Sequence, residues 1–415
     1  MATWTLLATY VAVTLWEIGL RLLNLRHLRV RGGTVPPELE GFVEPATLRR
    51  IAAYTVDVSR LGLVRSGVHA VILVAFLFGG GLAWYDRTLR EWTLSRTDSF
   101  LVGGIVFFLG LLAAETALGI PFGLYRSFRV EARHGFNTTT GRLWLVDLVK
   151  STALGAVLVA AVVAGALALV RWSPGAWWIW VWAFFLGVSL FLMFVSPYVI
   201  EPLFFRFRPV EAEGLEERIR TLAGRVGVRV SRILQVDASR RSRHSNAYFT
   251  GIGRVKRIIL FDTLLERMGS DEVLAVLAHE LGHWKRRHVV KGLLAGQATS
   301  FAGLFLAFHL VRWDGLPGLF GLADASFYAR AVMVGFLGSL ASVVLTPLGA
   351  WWSRRHEWEA DRFAADLTGR PGDLADALAR LARDNLSNLH PHPLYAAFHG
   401  SHPPVAQRVR ALRGT

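Results

Sequence analysis

The sequence predicts a mainly α-helical polytopic membrane protein. Seven spanning helices are expected, with a water-facing portion of helices and strands set between the fifth and the sixth. Three observations carry this. Of 415 residues, 53% are hydrophobic and the mean hydropathy is +0.38, more apolar than an ordinary soluble enzyme. Seven apolar runs are each long enough to cross a bilayer. The arginines gather in alternate connections between those runs, so the net charge of +15 reflects membrane topology and no nucleic-acid partner is implied. The absence of cysteine excludes disulfides and thiolate metal sites.

Residues 3–23 form the first run. It lacks a basic leading segment and a small-residue cleavage site, so it reads as an uncleaved helix and not a signal peptide. Glu17, inside it, must face protein or water. A polar stretch over 24–62 follows, with Arg26, Arg29, Arg31, Arg49, Arg50 and Arg60. The second span is expected at 63–85 and the third at 100–124, the latter holding Glu115 and interrupted near its end by Pro121. Beyond a basic segment over 126–150, spans at 151–170 and 176–200 are joined by a few residues and form a helical hairpin. The water-facing portion then opens with a helix over 211–226. Strands are expected at 231–237 and 257–261, with HSNAYFTGIG between them as a third strand or turn, and a short helix at 262–268. The sixth and seventh spans fall at 289–311 and 329–352. The tail is charged and helical, breaks at Gly369-Arg370-Pro371-Gly372 and resumes as a helix over 373–385. Four units result: 1–203, the first five spans with their loops; 204–288, the water-facing domain; 289–352, the last two spans; and 353–415, the C-terminal helical part. The positive-inside rule puts the N-terminus outside and the C-terminus in the cytoplasm, together with the domain at 204–288. Arginine greatly outnumbers lysine, as in a GC-rich bacterial genome, which points to a bacterial inner membrane.

The chemistry centres on VLAVLAHELGHWKRRH, residues 273–288. Its H-E-x-x-H core sets His279 and His283 four apart on one helix face, where two imidazoles can grip one ion. Glu280 stands beside the ion, placed to take a proton from a bound water. Ser270-Asp271-Glu272 reads as a helix start, and Val273, Leu274, Val276, Leu277 and Leu281 supply the apolar face. Zn2+ in such a site needs a third protein ligand. The metzincin spacing fails at Arg286 and Val289, and no Asp or Glu occurs from 284 to 313. The ligand must return from further on, and the obvious source is SRRHEWEADRFAADLTG, where Glu357 and Asp361 share a helical face. One of the two can bind the metal while the other orients a ligand imidazole. Glu359 points elsewhere and reads as a partner of nearby arginines, and His288, after Lys-Arg-Arg, reads as interfacial.

Six segments carry a resemblance: VEARHGFN (130–137), SPYVIEPLF (196–204), HSNAYFTG (244–251), HELGHW (279–284), SRRHEWEAD (353–361) and SHPPVAQRV (401–409). Over nearly its whole length the chain resembles the CAAX prenyl protease type 1 family, seven-span integral-membrane zinc endopeptidases. The resemblance implies seven helices enclosing a water-filled chamber, capped on the cytoplasmic side by a gluzincin-like zinc protease domain. Glu17 and Glu115 would then face the chamber. It implies one zinc ion with Glu357 as third ligand, and Asp361 in support of a ligand histidine. His402 and Arg408 would lie at the active site, stabilising the oxyanion or holding substrate, and Asn246, Ala247 and Tyr248 along the bound peptide. The implied activity is hydrolysis of peptide bonds near the membrane, in CAAX-type C-terminal processing of prenylated proteins. The partners would be a peptide or protein substrate and the lipid bilayer.

Two alternatives stand beside this. A bacterial member without prenylated substrates would degrade membrane or misfolded proteins for quality control. A metal transporter would not need Glu280 beside the ligands. The shorter heat-shock membrane zinc protease shares H-E-x-x-H, but seven spans and HGFN disfavour it. In the tail, Ser401-His402-Pro403-Pro404 forms a stiff turn. It leads to a short basic helix over 405–412 with Arg408 in its first turn, so that His402 and Arg408 converge.

Overall fold

The computed structural model describes residues 1–250 and 255–414. Among them, seven helices are long and apolar enough to cross a membrane: Ala2–Arg31, Pro45–Leu77, Phe100–Glu131, Gly141–Trp172, Trp177–Phe204, His288–Arg312 and Phe327–Thr368. Each packs on its neighbour in sequence and the seventh returns to the first; the second and third are joined through a separate helix, Gly81–Leu94. A filled bundle would bury one face of every helix. Here only 6–17% of the residues in the most apolar windows of the spans are buried, as expected for a ring whose inner faces line a space. Glu17 and Glu115 both line one cavity of about 610 Å³ between the first three spans, with Arg21 and His69. That is where intramembrane carboxylates are tolerated.

Several boundaries differ from the expected ones. The second span starts at Pro45 and stops at Leu77. Its charged first half stays helical because Leu48 and Ile51 pack into the core of the water-facing domain. It ends where Gly80 takes φ +86°, a left-handed conformation that a side chain would resist. Pro121 does not end the third span. The helix runs to Tyr125 and passes into a π-helical turn, Arg126–Glu131, since a membrane helix tolerates the one lost N–H bond. The seventh span does not stop at 352 either: one helix of 42 residues carries it on to Thr368.

The water-facing domain holds a four-stranded sheet of order β1-β2-β4-β3. Strand β1 (Phe207–Pro209) runs antiparallel to β2 (Arg229–Val236), β2 parallel to β4 (Val255–Phe261), and β3 (Ala247–Thr250) antiparallel to β4. Three residues long, β1 was too short to show a pattern in the sequence. The expected turn after β3 falls at 251–253, outside the described residues. Ile258 and Leu260 of β4 share one core with Ala275, Val276 and Leu277 of the helix Ser270–Lys285, which lies against β3. The helices Pro371–Asp384 and Val405–Arg413 complete the same core through Leu374, Ala379 and Val409.

Candidate metal centre

The helix Ser270–Lys285 starts one residue earlier than Ser270 suggests: Gly269 is its cap, and the Glu272 carboxylate accepts the Gly269 N–H at 2.9 Å. Its buried face carries Val273, Leu277 and Leu281 into the core and turns His279 and His283 toward the extension of the seventh span. The two helices meet at Gly282. A Cβ there would lie 3.0 Å from Ala360 Cα and 3.1 Å from Ala360 O, so the close approach depends on a residue without a side chain. Ala360 stands between Glu357 and Asp361, and the contact presses both carboxylates against the two imidazoles.

His279 Nε2 and His283 Nε2 are 3.1 Å apart. Glu357 Oε1 lies 3.2 Å from His283 Nε2, and Oε2 3.5 Å from His279 Nε2. Zinc–ligand bonds of about 2.0–2.1 Å in a tetrahedron would separate the ligand atoms by about 3.3 Å, close to these distances, of which the two to Glu357 run to different oxygens. Glu357 Oε2 is buried and accepts no hydrogen bond. The Arg408 guanidinium approaches it at ion-pair distance, with Nη1 3.3 Å away. Burial works against a charge on His279, but its hydrogen bonds to the Asp361 and Glu357 carboxylates outweigh it and carry the imidazole up to about 9. The pocket therefore attracts positive charge, and its three donors fit a divalent metal.

Both ligand imidazoles are held from behind. Asp361 Oδ1 lies 2.8 Å from His279 Nδ1, and Asp361 is 1% exposed. His283 Nδ1 lies 3.0 Å from His288 Nδ1. His288 is not interfacial, as its basic neighbours suggested. Arg287 takes φ +56° and swings His288 back under the metal helix, where it is buried, stacked on His356 at 4.0 Å and 3.2 Å from Glu359 Oε2. Sequence reasoning missed both His288 and His356; neither falls on the helical spacing of the motif. Glu359 does point away from the centre, toward His288, Arg355 and Lys291.

Glu280, the residue after His279, is half-buried. Burial pushes its carboxyl above the usual carboxylate range, against the pull of His279 and His283. His402 reaches the centre from solvent: its side chain is 62% exposed, with Nε2 3.4 Å from Glu357 Oε1. Arg408 is placed otherwise than a substrate-gripping residue would be. Its guanidinium is buried, donates to Asp361 Oδ2 from Nε at 2.8 Å and to Oδ1 from Nη2 at 2.6 Å, and has Nη1 3.3 Å from Glu357 Oε2. A buried cation needs such partners, and Asp361 behind His279 together with Glu357 hold it there. Ala247 and Tyr248 lie on β3 and Asn246 directly precedes it; among the described residues β3 pairs only with β4 and so leaves one edge free beside the metal helix. Tyr248 donates from its hydroxyl to Glu201 Oε2 at 2.9 Å.

Comparison with known proteins agrees with this architecture. Residues 24–206 match the CAAX prenyl protease N-terminal family, five membrane helices, and residues 209–415 match peptidase family M48. The chain is 34% identical to the CAAX prenyl protease 1 homolog of Arabidopsis thaliana, over 99% of this chain and 97% of that one. It is 30% identical to CAAX prenyl protease 1 of Saccharomyces cerevisiae, over 99% and 95%. Among solved structures it is similar to the crystal structure of S. mikatae Ste24p, with a TM-score of 0.91, 27% identity and 99% of each chain covered.

Proposed function

The chain belongs to peptidase family M48 as a membrane metalloprotease homologous to CAAX prenyl protease 1, and from that premise we propose that it is a zinc endopeptidase cleaving near the C-terminus of prenylated, membrane-associated proteins. One observation carries the metal assignment: two imidazole nitrogens and the Glu357 carboxylate converge, with one ligand atom from each residue within 4.8 Å of the others. Two nitrogens and one oxygen suit zinc, whose catalytic sites keep the fourth position for water. Bound there, zinc would polarise the scissile carbonyl and lower the pKa of water.

The chain's own residues do the rest. Glu280, its carboxyl raised by burial, takes the proton of the attacking water and returns it to the leaving amine. His402, reaching the centre from solvent, donates toward the oxygen on which negative charge develops. Asp361 and His288 keep the ligand rings in place, and Arg408 acts through Asp361 and Glu357 and not on substrate. The peptide lies along the free edge of β3 at Asn246–Tyr248, pairing as an added strand. The Arg-rich connections lead to the metal end of the ring, so that end faces the cytoplasm.

The test uses purified full-length protein in detergent and a farnesylated peptide. Glu280→Gln should keep one zinc per chain and lose about 10²–10⁴-fold in turnover. His283→Ala should lose zinc and activity together. Full zinc occupancy in His283→Ala, or wild-type turnover in Glu280→Gln, would sink the assignment. Equal cleavage of the unprenylated peptide would move the substrate class to the quality-control alternative.

A further inference from the structure

A strand at a sheet edge is held from one side only, so its register against a neighbouring site depends on how the chain enters it. Here three distant parts of the molecule converge on the two residues that lead to β3. Glu131 closes the π-helical end of the third span. Its carboxylate accepts from the Tyr54 hydroxyl of the second span at 3.0 and 3.2 Å and from Arg126 Nε at 3.3 Å, and lies 3.4 Å from His244 Nε2. The other ring nitrogen, His244 Nδ1, lies 3.3 Å from Asn385 Oδ1, just beyond the helix Pro371–Asp384. Asn385 is clamped to the next residue: Oδ1 accepts the Ser245 N–H at 3.1 Å and Nδ2 donates to Ser245 O at 3.3 Å. The His244 ring stacks on Phe136 at 3.9 Å, and its carbonyl accepts from Thr263 Oγ1 at 2.9 Å. Asn246 O then accepts the Phe261 N–H at 3.1 Å, and β3 begins. Neither Glu131 nor His244 has a hydrogen bond or ion pair with a metal ligand, and the mechanism above does not use them.

We propose that Glu131, through His244 and with Asn385, positions the free edge of β3 for substrate pairing, so that the membrane helices set the register of the peptide against the metal. The inference rests on the reading of β3 as the peptide's seat. Glu131 and His244 are positioning residues; they touch no substrate. An extra residue in the π-helical turn rotates the chain relative to an α-helix, and here it brings the Glu131 carboxylate to His244.

Steady-state kinetics of the full-length protein with a farnesylated C-a-a-X peptide test it. Losing a hydrogen bond to a charged group should raise KM about tenfold in Glu131→Gln, with kcat and zinc content unchanged. His244→Gln, a second variant in case the first folds poorly, should do the same. The double variant should raise KM no further than the larger single effect. Wild-type KM in both single variants overturns the inference. So does a fall in kcat in step with lost zinc, which marks a purely structural role. A peptide with N-methylated backbone amides, tested on the wild-type protein, reads the premise separately. If methylation leaves KM unchanged, the peptide does not pair with β3 and the premise fails. If methylation raises KM while Glu131→Gln does not, the premise stands and the positioning role falls.

Discussion

Replacing Asp361 with Asn should weaken metal binding without touching a ligand. The carboxylate is 1% exposed and serves three donors: His279 Nδ1 at 2.8 Å, and Arg408 Nε and Nη2 at 2.8 and 2.6 Å. An amide of the same shape offers one oxygen and one NH2. In either orientation the NH2 meets a donor. It faces Arg408 Nε in one, and His279 Nδ1 with Arg408 Nη2 in the other. The loss of such a supporting partner typically costs 10–100-fold in metal affinity, or about 1.4–2.8 kcal/mol. Zinc competition against a chelator of known affinity, with metal content by mass spectrometry, measures it on purified protein. Thermal unfolding of metal-free protein separates ligand orientation from stability, because Arg408 also loses part of its charge pairing. Wild-type zinc affinity in Asp361→Asn would refute the argument that Asp361 orients His279.

Four further outcomes follow from the same geometry. His288→Ala should lower zinc affinity about tenfold although no ligand is removed, since His283 Nδ1 loses its neighbour at 3.0 Å; chelator competition reads it. Arg408→Ala should destabilise the protein by about 3–5 kcal/mol, because Asp361 and Glu357 stay buried without their cation, and thermal unfolding should show it. His402→Ala should instead fold and keep zinc while kcat drops about 10²-fold at nearly constant KM, the sign of a contact made in the transition state. A reporter fused after Thr415 should read cytoplasmic and one inserted in the 315–325 connection should read external; the reverse pattern would overturn the orientation argued from the arginines.

Hydropathy and H-E-x-x-H spacing made seven spans and the two candidate ligand imidazoles legible in the sequence, because bilayer thickness and the 3.6-residue period act on neighbouring residues. The pairing of Glu357 and Asp361 on one helical face was legible for the same reason; which of them faces the metal was not. That was decided by Gly282 against Ala360, a contact between residues far apart in the chain that presses Glu357 onto both imidazoles and Asp361 behind one. His288 looked like one more interfacial residue, and only the left-handed turn at Arg287 brought it under His283. Arg408 looked like a free donor in a basic tail. The packing of the last helix on the core buried it instead, and a buried guanidinium must face carboxylates. Local patterns thus determined the elements and the chemistry they carry. Tertiary packing decided which side chain stands in front of the metal and which behind, because burial sets the cost of leaving a charge unpaired and burial is a property of the whole fold.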